Sequence, residues 1–287
     1  MAKAFSPGHI TCFFGPAGSS GDPLSRGSIG AGIRTALGAT VEVVERSGTS
    51  HRIMMDGVEV PASVTEALLS RMAPGRVFDV TIENQLPCSE GFGMSAAGAT
   101  AAALCLADIL GMSRQEAFEH AHLAEIIGGG GLGDVSAISC PRHQPVRVRP
   151  GIPPYGEVVG TDVCFDALSL VVLGPKMHTG HVLGDSVMFS RITLSGREVV
   201  EEYIGAPSED ALFSLSNRFS SECGLESCDV SDAMEKLGRH GFRAAMCMLG
   251  NSIFTEAPPD LVKDVLGVEK VYATSSTDEC ARLIRKG

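Results

Sequence analysis

The stretch NQLPCSEGFGMSAAGATAAALCLADIL, residues 84–110, decides how this chain is read. Just before it, VFDVTIEN (77–84) alternates Phe78, Val80 and Ile82 with Asp79, Thr81 and Glu83, which predicts a strand with one wet face. From Ser95 to Leu110 the small apolar residues predict a helix, closed by Gly111. Between them lies Gly91-Phe92-Gly93-Met94-Ser95. Glycines let backbone approach a ligand closely and turn several N–H groups inward. The helix beginning near Ser95 adds unpaired N–H groups and a positive dipole end, a natural seat for phosphate. A tight strand-to-helix turn without a ligand is the plainer reading, and a short glycine motif alone does not separate the two.

Gly91-x-Gly93-x-x-Ala96 also fits the dinucleotide fingerprint. That fold requires a second strand ending in an acidic residue about 20 positions on. Here the helix runs through Gly111 into another helix, and Asp108 lies inside the first. A second match, Gly128-x-Gly130-x-x-Gly133, follows a helix rather than a strand. No G-K-[ST] is present, so a Walker phosphate loop fails as well.

The second helix, residues 114–127, follows Ser113 as its N-cap and ends at a run of four glycines. At 100° per residue, Phe118, Ala121, His122 and Glu125 share one face. A carboxylate in an apolar stripe must be paired or must hold a cation. His120 points almost opposite His122, so the pair is not a two-histidine metal site. Asp134, nine residues after Glu125, is placed by a glycine turn at a helix start. Singly, each of these reads as structural. Together with a phosphate-binding loop they supply an anion cradle, a metal ligand and a base, the requirements of phosphoryl transfer.

The remaining sequence sets the frame. The 287 residues carry 44% hydrophobic and 20% charged side chains, enough for one large core or two smaller ones. A net charge of −11, 5% aromatic residues and no Trp argue against nucleic-acid and anionic-membrane partners. Nine cysteines without a C-x-x-C pair suit free thiols in a reducing, cytoplasmic compartment rather than zinc ligands. No signal peptide or membrane span is expected from the N-terminus or from the longest apolar run, 94–107.

Residues 15–33 are glycine-dense and predict a long ordered loop; VEVVE (41–45) and HRIMMDGVEV (51–60) predict a hairpin turning at Asp56-Gly57. VTEALLSRM (64–72) predicts a helix, and 145–156 a short strand followed by a Pro/Gly-rich connection. Beyond a boundary near residue 160, ALSLVVLG is a strand, 207–223 a helix, a second helix starts at Ser231, AAMCMLGNSIFTE gives two strands around a turn, and DECARLIRK is a terminal helix. The order lacks βαβ regularity, so the class is α+β, with domains 1–160 and 161–287.

These motifs resemble the GHMP kinase superfamily and, within it, the archaeal pantoate kinase family. The superfamily's P-x-x-x-G-L-G-S-S-A motif is met by Pro87, Gly91, Phe92, Gly93, Met94, Ser95 and Ala96. The resemblance implies that this loop wraps the phosphates of ATP and that Ser95 binds Mg²⁺. An E-x(8)-D element is met by Glu125, implied to hold the metal, and Asp134, implied to face the acceptor hydroxyl. The turn MLGNSIF, with Gly250 and Asn251, stands for the third motif. Three segments, SPGHITCFF (6–14), GSIGAGI (27–33) and GGLGDV continuing to RVRPG, resemble the pantoate kinases, and imply that Ser28, His122 and Arg147 contact pantoate. Arg149 competes with Arg147 for that place. An Arg fork suits a carboxylate, and Ser and His suit hydroxyls.

The implied fold has an N-terminal domain like the second domain of ribosomal protein S5 and a ferredoxin-like C-terminal domain, and a homodimer is compatible with it. The implied activity is an ATP- and Mg²⁺-dependent kinase acting on a small alcohol. Kinases of mevalonate or homoserine, and a metabolite-binding regulator without catalysis, are the rival readings. Retention of both Glu125 and Asp134 argues against the regulator. Two departures stand out: sister families place Lys after the first-motif Pro-Gly where this chain has His9, and Gly180 follows Thr179 where relatives often carry Lys. Lys176, His178 and His181 are further candidates from the second half.

Overall fold

The computed structural model describes residues 1–17, 21–175 and 185–285. Lys176, His178, Thr179, Gly180 and His181 lie outside the described residues. The architecture is α+β, with two sheets among the described residues. The larger runs β12-β1-β2-β5-β3-β4, with β6 on β2 and β7 on β6. Its strands are β1 (Ala2–Ala17), β2 (Gly27–Arg46), β3 (Arg52–Met55), β4 (Val58–Glu59), β5 (Val77–Asn84), β6 (Gln144–Arg149), β7 (Glu157–Thr161) and β12 (Arg282–Leu283). The smaller runs β11-β8-β10-β9, from β8 (Leu168–Val172), β9 (Ala244–Met246), β10 (Ser252–Thr255) and β11 (Tyr272–Thr274). All pairs are antiparallel except β3 with β5.

Part of the expected loop over 15–33 is strand: residues 15–17 end β1 and 27–33 begin β2, in a pair registered from Ala2↔Val43 to Ala17↔Gly27, while 21–26 is loop with a short 3-10 turn at Pro23–Ser25. Gly30 and Gly32 there serve close approach. A Cβ on Gly32 would fall 2.2 Å from the Ile10 carbonyl oxygen, and one on Gly30 2.5 Å from that of Phe13. Pattern reading cannot tell such glycines from those of a loop. The β3–β4 hairpin does turn at Asp56-Gly57, both with positive φ. Val41–Glu45 belongs to β2, which pairs with β5.

Helix α1 (Ser63–Met72) precedes β5, and α2 (Met94–Leu110) follows it. Almost every residue of α2 up to Ala107 is buried, as expected of a helix apolar on all sides. Its alanines let β1, β2 and α3 (Arg114–Gly128) pack closely around it. The α3 N-terminus carries a full capping box, Ser113 with Glu116. A short helix, α4 (Asp134–Ser139), then leads to β6.

In the second half, α5 (Ser186–Gly205) and α6 (Glu209–Cys223) lean on β1. Phe13 meets Tyr203 edge-on at 5.5 Å, Phe14 meets Phe219 at 5.7 Å, and Ser216 Oγ donates to the Cys12 carbonyl at 2.9 Å. Helix α7 (Cys228–Arg239) starts three residues before the expected Ser231, because Ser227 is the cap. Neither α5 nor α8 (Pro259–Leu266) is foreseen by the sequence reading. The expected terminal helix is the edge strand β12. Leu283 and Arg282 pair with Ala4 and Phe5, Ala281 is buried, and the Arg282 guanidinium sits 5.2 Å over the Phe5 ring. An open edge of β1 wins over a local helical pattern.

Candidate active site

Three turns converge on one cavity of about 580 Å³. The first is the glycine loop before α2. Gly91 and Gly93 have φ of 76° and 66°, and each lies against another chain segment. A Cβ on Gly91 would come 2.7 Å from the Cys247 carbonyl oxygen, and one on Gly93 2.5 Å from that of His9. No side chain other than hydrogen fits. Gly93 is the N-cap of α2 and supplies no side-chain cap, so the first-turn N–H groups are left for a ligand. Gly91, Gly93, Met94, Ser95 and Ala96 line the cavity. Phe92 does not; its buried ring packs edge-on to Tyr272. Pro87 also lies outside the lining and leads into the loop.

The second turn, Cys247–Asn251, backs the first. Gly250 touches Glu90 closely enough that a Cβ would sit 2.2 Å from its carbonyl, and Ser252 Oγ donates to that carbonyl at 2.5 Å. Met248 and Leu249 reach the cavity wall. The third is the glycine run between α3 and α4, which the sequence presents as a helix end and as the turn that places Asp134. A Cβ on Gly130 would meet Glu125 Oε1 at 2.6 Å; on Gly131, Asp134 Oδ2 at 2.6 Å and Glu125 Oε2 at 2.9 Å; on Gly133, Arg147 Nε at 2.5 Å and Ser28 Oγ at 2.6 Å. Functional side chains therefore close directly over bare backbone.

Glu125 is buried on α3. Its Oε1 accepts from Ser95 Oγ at 2.5 Å and its Oε2 from the Gly131 N–H at 2.6 Å. Burial pushes its carboxyl up to about 7, against the opposing pull of those two hydrogen bonds. Asp134 behaves oppositely. Burial favours its neutral form, but the hydrogen bond and charge of His9, with Arg147 and Thr11, hold it below the usual carboxylate range. His9 Nδ1 lies 2.7 Å from Asp134 Oδ1, and Thr11 Oγ1 donates to the same oxygen at 3.2 Å. His9 and Thr11 are site residues that sequence reasoning missed as partners of Asp134. Their i, i+2 spacing in a strand is the signal that could have found them.

Arg147 and Ser28 are both buried and both line the cavity. Arg149 is exposed and reaches toward the Gly156 carbonyl; two residues apart the arginines would share a strand face, and the register shift between them against β7 is what separates the two. Nε and Nη1 of Arg147 are buried without a hydrogen-bond partner among the described residues. His122 is placed differently. It is buried beside Gly27 with Nε2 3.0 Å from the Arg26 carbonyl, outside the cavity lining, and burial lowers it to about 4.

The chain has matches among known proteins. Residues 60–141 match the GHMP kinases N-terminal domain family. The pantoate kinase of Thermococcus kodakarensis is 32% identical over 269 residues, covering 88% of this chain and 87% of that protein. The chain belongs to the pantoate kinase family of GHMP kinases. The pantoate kinase of Methanocaldococcus jannaschii is 29% identical, over 93% of this chain and 96% of its own. A solved structure described as a phosphotransferase related to the CoA biosynthesis pathway superposes with a TM-score of 0.85 at 26% identity, covering 99% of this chain and 98% of its own. A homoserine kinase from Cytophaga hutchinsonii shares the fold alone, with a TM-score of 0.68 at 14% identity over 99% of this chain and 97% of its own. Among the described residues no helix is long and apolar enough to cross a membrane.

Proposed function

We propose that the protein transfers the γ-phosphoryl group of ATP to the 4-hydroxyl of pantoate, giving 4-phosphopantoate for coenzyme A synthesis in the cytoplasm. The observation that carries this reading is the convergence on one cavity of the uncapped α2 N-terminus, an ionised Asp134 and a buried Arg147 with unpaired N–H groups. A buried guanidinium without an anion is costly, and a substrate carboxylate would satisfy it in fork geometry. The N–H groups of Met94, Ser95 and Ala96 suit the nucleotide phosphates. In this reading residues 1–160 form the ATP- and substrate-binding domain and 161–287 a ferredoxin-like one.

A divalent cation fits the donors present. Glu125 and Ser95 offer hard oxygens, and the raised Glu125 carboxyl marks a buried charge that a cation would stabilise. Among the described residues no cluster of three acidic, His or Cys side chains could hold a metal alone. That suits Mg²⁺, which takes one or two protein oxygens and completes its shell with phosphate and water. Bound there, Mg²⁺ would supply charge neutralisation at the phosphates. The protein's own part is positioning and a proton acceptor. Arg147 and Ser28 fix the acid end of the alcohol, and Asp134 orients its 4-hydroxyl and takes the proton as the oxygen attacks. His122 acts by holding the Arg26 carbonyl, and so the backbone beside Ser28, in place.

The test is ADP release from ATP and Mg²⁺ with pantoate, pantothenate, mevalonate and homoserine in parallel. Turnover with pantoate far above the rest is expected. A preference for mevalonate or homoserine, or no turnover with any of the four, overturns the assignment.

A further inference from the structure

The geometry assigns His9 as a positioning residue for Asp134: its Nδ1–H clamps Asp134 Oδ1 and leaves Oδ2 as the oxygen presented to the acceptor hydroxyl. This deepens the proposed function and rests on Asp134 as the proton acceptor. The β1–β2 register shifts between Pro7 and Gly8 and again between Thr11 and Phe13, so the segment bearing His9 and Thr11 is bracketed by two irregularities. Such irregularities re-aim side chains at functional sites. Two residues apart on one strand, His9 and Thr11 share a face, and both close on Asp134 Oδ1, at 2.7 and 3.2 Å. The other oxygen, Oδ2, lies over Gly131 beside Glu125 Oε2, on the wall of the cavity.

The opposite end of the imidazole fixes its role. Nε2 is buried with no hydrogen-bond partner among the described residues, and it points at Gly32, where a Cβ would sit only 2.3 Å away. The ring is held in a slot that only glycine provides, with its single polar contact at Nδ1. A neutral ring with hydrogen on Nδ1 satisfies that contact, whereas a second proton on Nε2 would be stranded in a buried site. His9 therefore donates to the carboxylate and does not itself relay the proton. Holding one oxygen and one rotamer of Asp134 is worth a rate factor because misplacing a reacting group is costly.

Three variants and the wild type test this. His9→Phe keeps the ring without the donor, His9→Asn carries an amide nitrogen near the Nδ1 position, and His9→Gln carries it near Nε2. His9→Phe and His9→Gln are expected to lose kcat by roughly 10- to 150-fold, the range for a hydrogen bond to a charged group. KM for ATP and for pantoate should stay within about 3-fold, while His9→Asn recovers most of kcat. If His9→Phe does not fold, the Asn–Gln comparison carries the same test. Loss confined to KM, wild-type kcat in Phe or Gln, or an Asn variant no better than Gln overturns the assignment. Asp134→Asn, run alongside, separates the failures. If it retains turnover, the role of Asp134 as proton acceptor is wrong; if it is inactive while the His9 variants are normal, the clamp alone is wrong.

Discussion

Glu125→Gln keeps the shape of the side chain and removes its charge, so it separates the folding cost of this carboxylate from its use. Burial raises the Glu125 carboxyl from 4.5 to about 7. Because the folded value lies above the unfolded one, the contribution is fully present below 4.5 and is lost as pH rises through 7. That interval is worth about 3 kcal/mol. Gln does not titrate, so the difference between variant and wild type should grow in favour of the variant across this window. The two hydrogen bonds can largely survive. Gln Oε1 can accept from the Gly131 N–H, and the Ser95 hydroxyl can turn to accept from the amide. Allowing about 1 kcal/mol for poorer acceptors leaves the variant about 2 kcal/mol more stable at pH 8, or roughly 4–8 °C in Tm. The assay is thermal or urea unfolding in EDTA at pH 5 and pH 8. Adding Mg²⁺ and ATP should then raise the wild-type Tm far more than that of the variant, which should also have lost most turnover. A variant less stable than wild type at pH 8, or a difference equal at both pH values, would refute the reasoning.

Arg147→Ala should raise KM for pantoate roughly 10- to 150-fold, with KM for ATP nearly unchanged, while Arg149→Ala leaves both close to wild type. The reverse pattern in steady-state kinetics would move the carboxylate contact to Arg149. Gly131→Ala should fold with a wild-type far-UV spectrum yet lose most of kcat, because the added methyl meets Asp134 Oδ2 and Glu125 Oε2 at under 3 Å; full activity in this variant would show that these two carboxylates do not need their present positions.

Much of the candidate site is legible in the sequence because it lies in contiguous pieces. The strand over 77–84, the glycine loop, the α2 helix and the Ser113 cap are all specified within a few residues, and period and capping chemistry report them directly. Glu125 is legible as a carboxylate on an apolar helical face, and Asp134 by its place after a glycine turn. The illegible part depends on distant strands. His9 and Thr11 reach Asp134 only because β1 passes beneath α4, a pairing across more than a hundred positions. The glycines of 15–33 and 128–133 look alike in composition; the structure uses Gly30 and Gly32 where strands meet closely, and Gly130, Gly131 and Gly133 as floor beneath charged groups. The misread C-terminus has the same cause, since β12 is a strand by virtue of its partner β1. Arg147 and Arg149 stay ambiguous in the sequence because residues i and i+2 share a strand face, and only the register shift between them in the β6–β7 pair tells them apart.

The account stands or falls on Asp134, and the measurement that tests it is kcat for Asp134→Asn on pantoate, with ATP affinity and Tm measured on the same preparation. Asn keeps the size and one acceptor oxygen but cannot take the proton. The account predicts a fall in kcat of about 10²- to 10⁴-fold with ATP affinity nearly unchanged, since the α2 N-terminus and Ser95 are untouched. Helix α4 begins at Asp134, which makes no capping bond, so a purely structural role, whatever its effect on Tm through His9 and Thr11, predicts normal turnover. Near-wild-type kcat in Asp134→Asn would contradict the account.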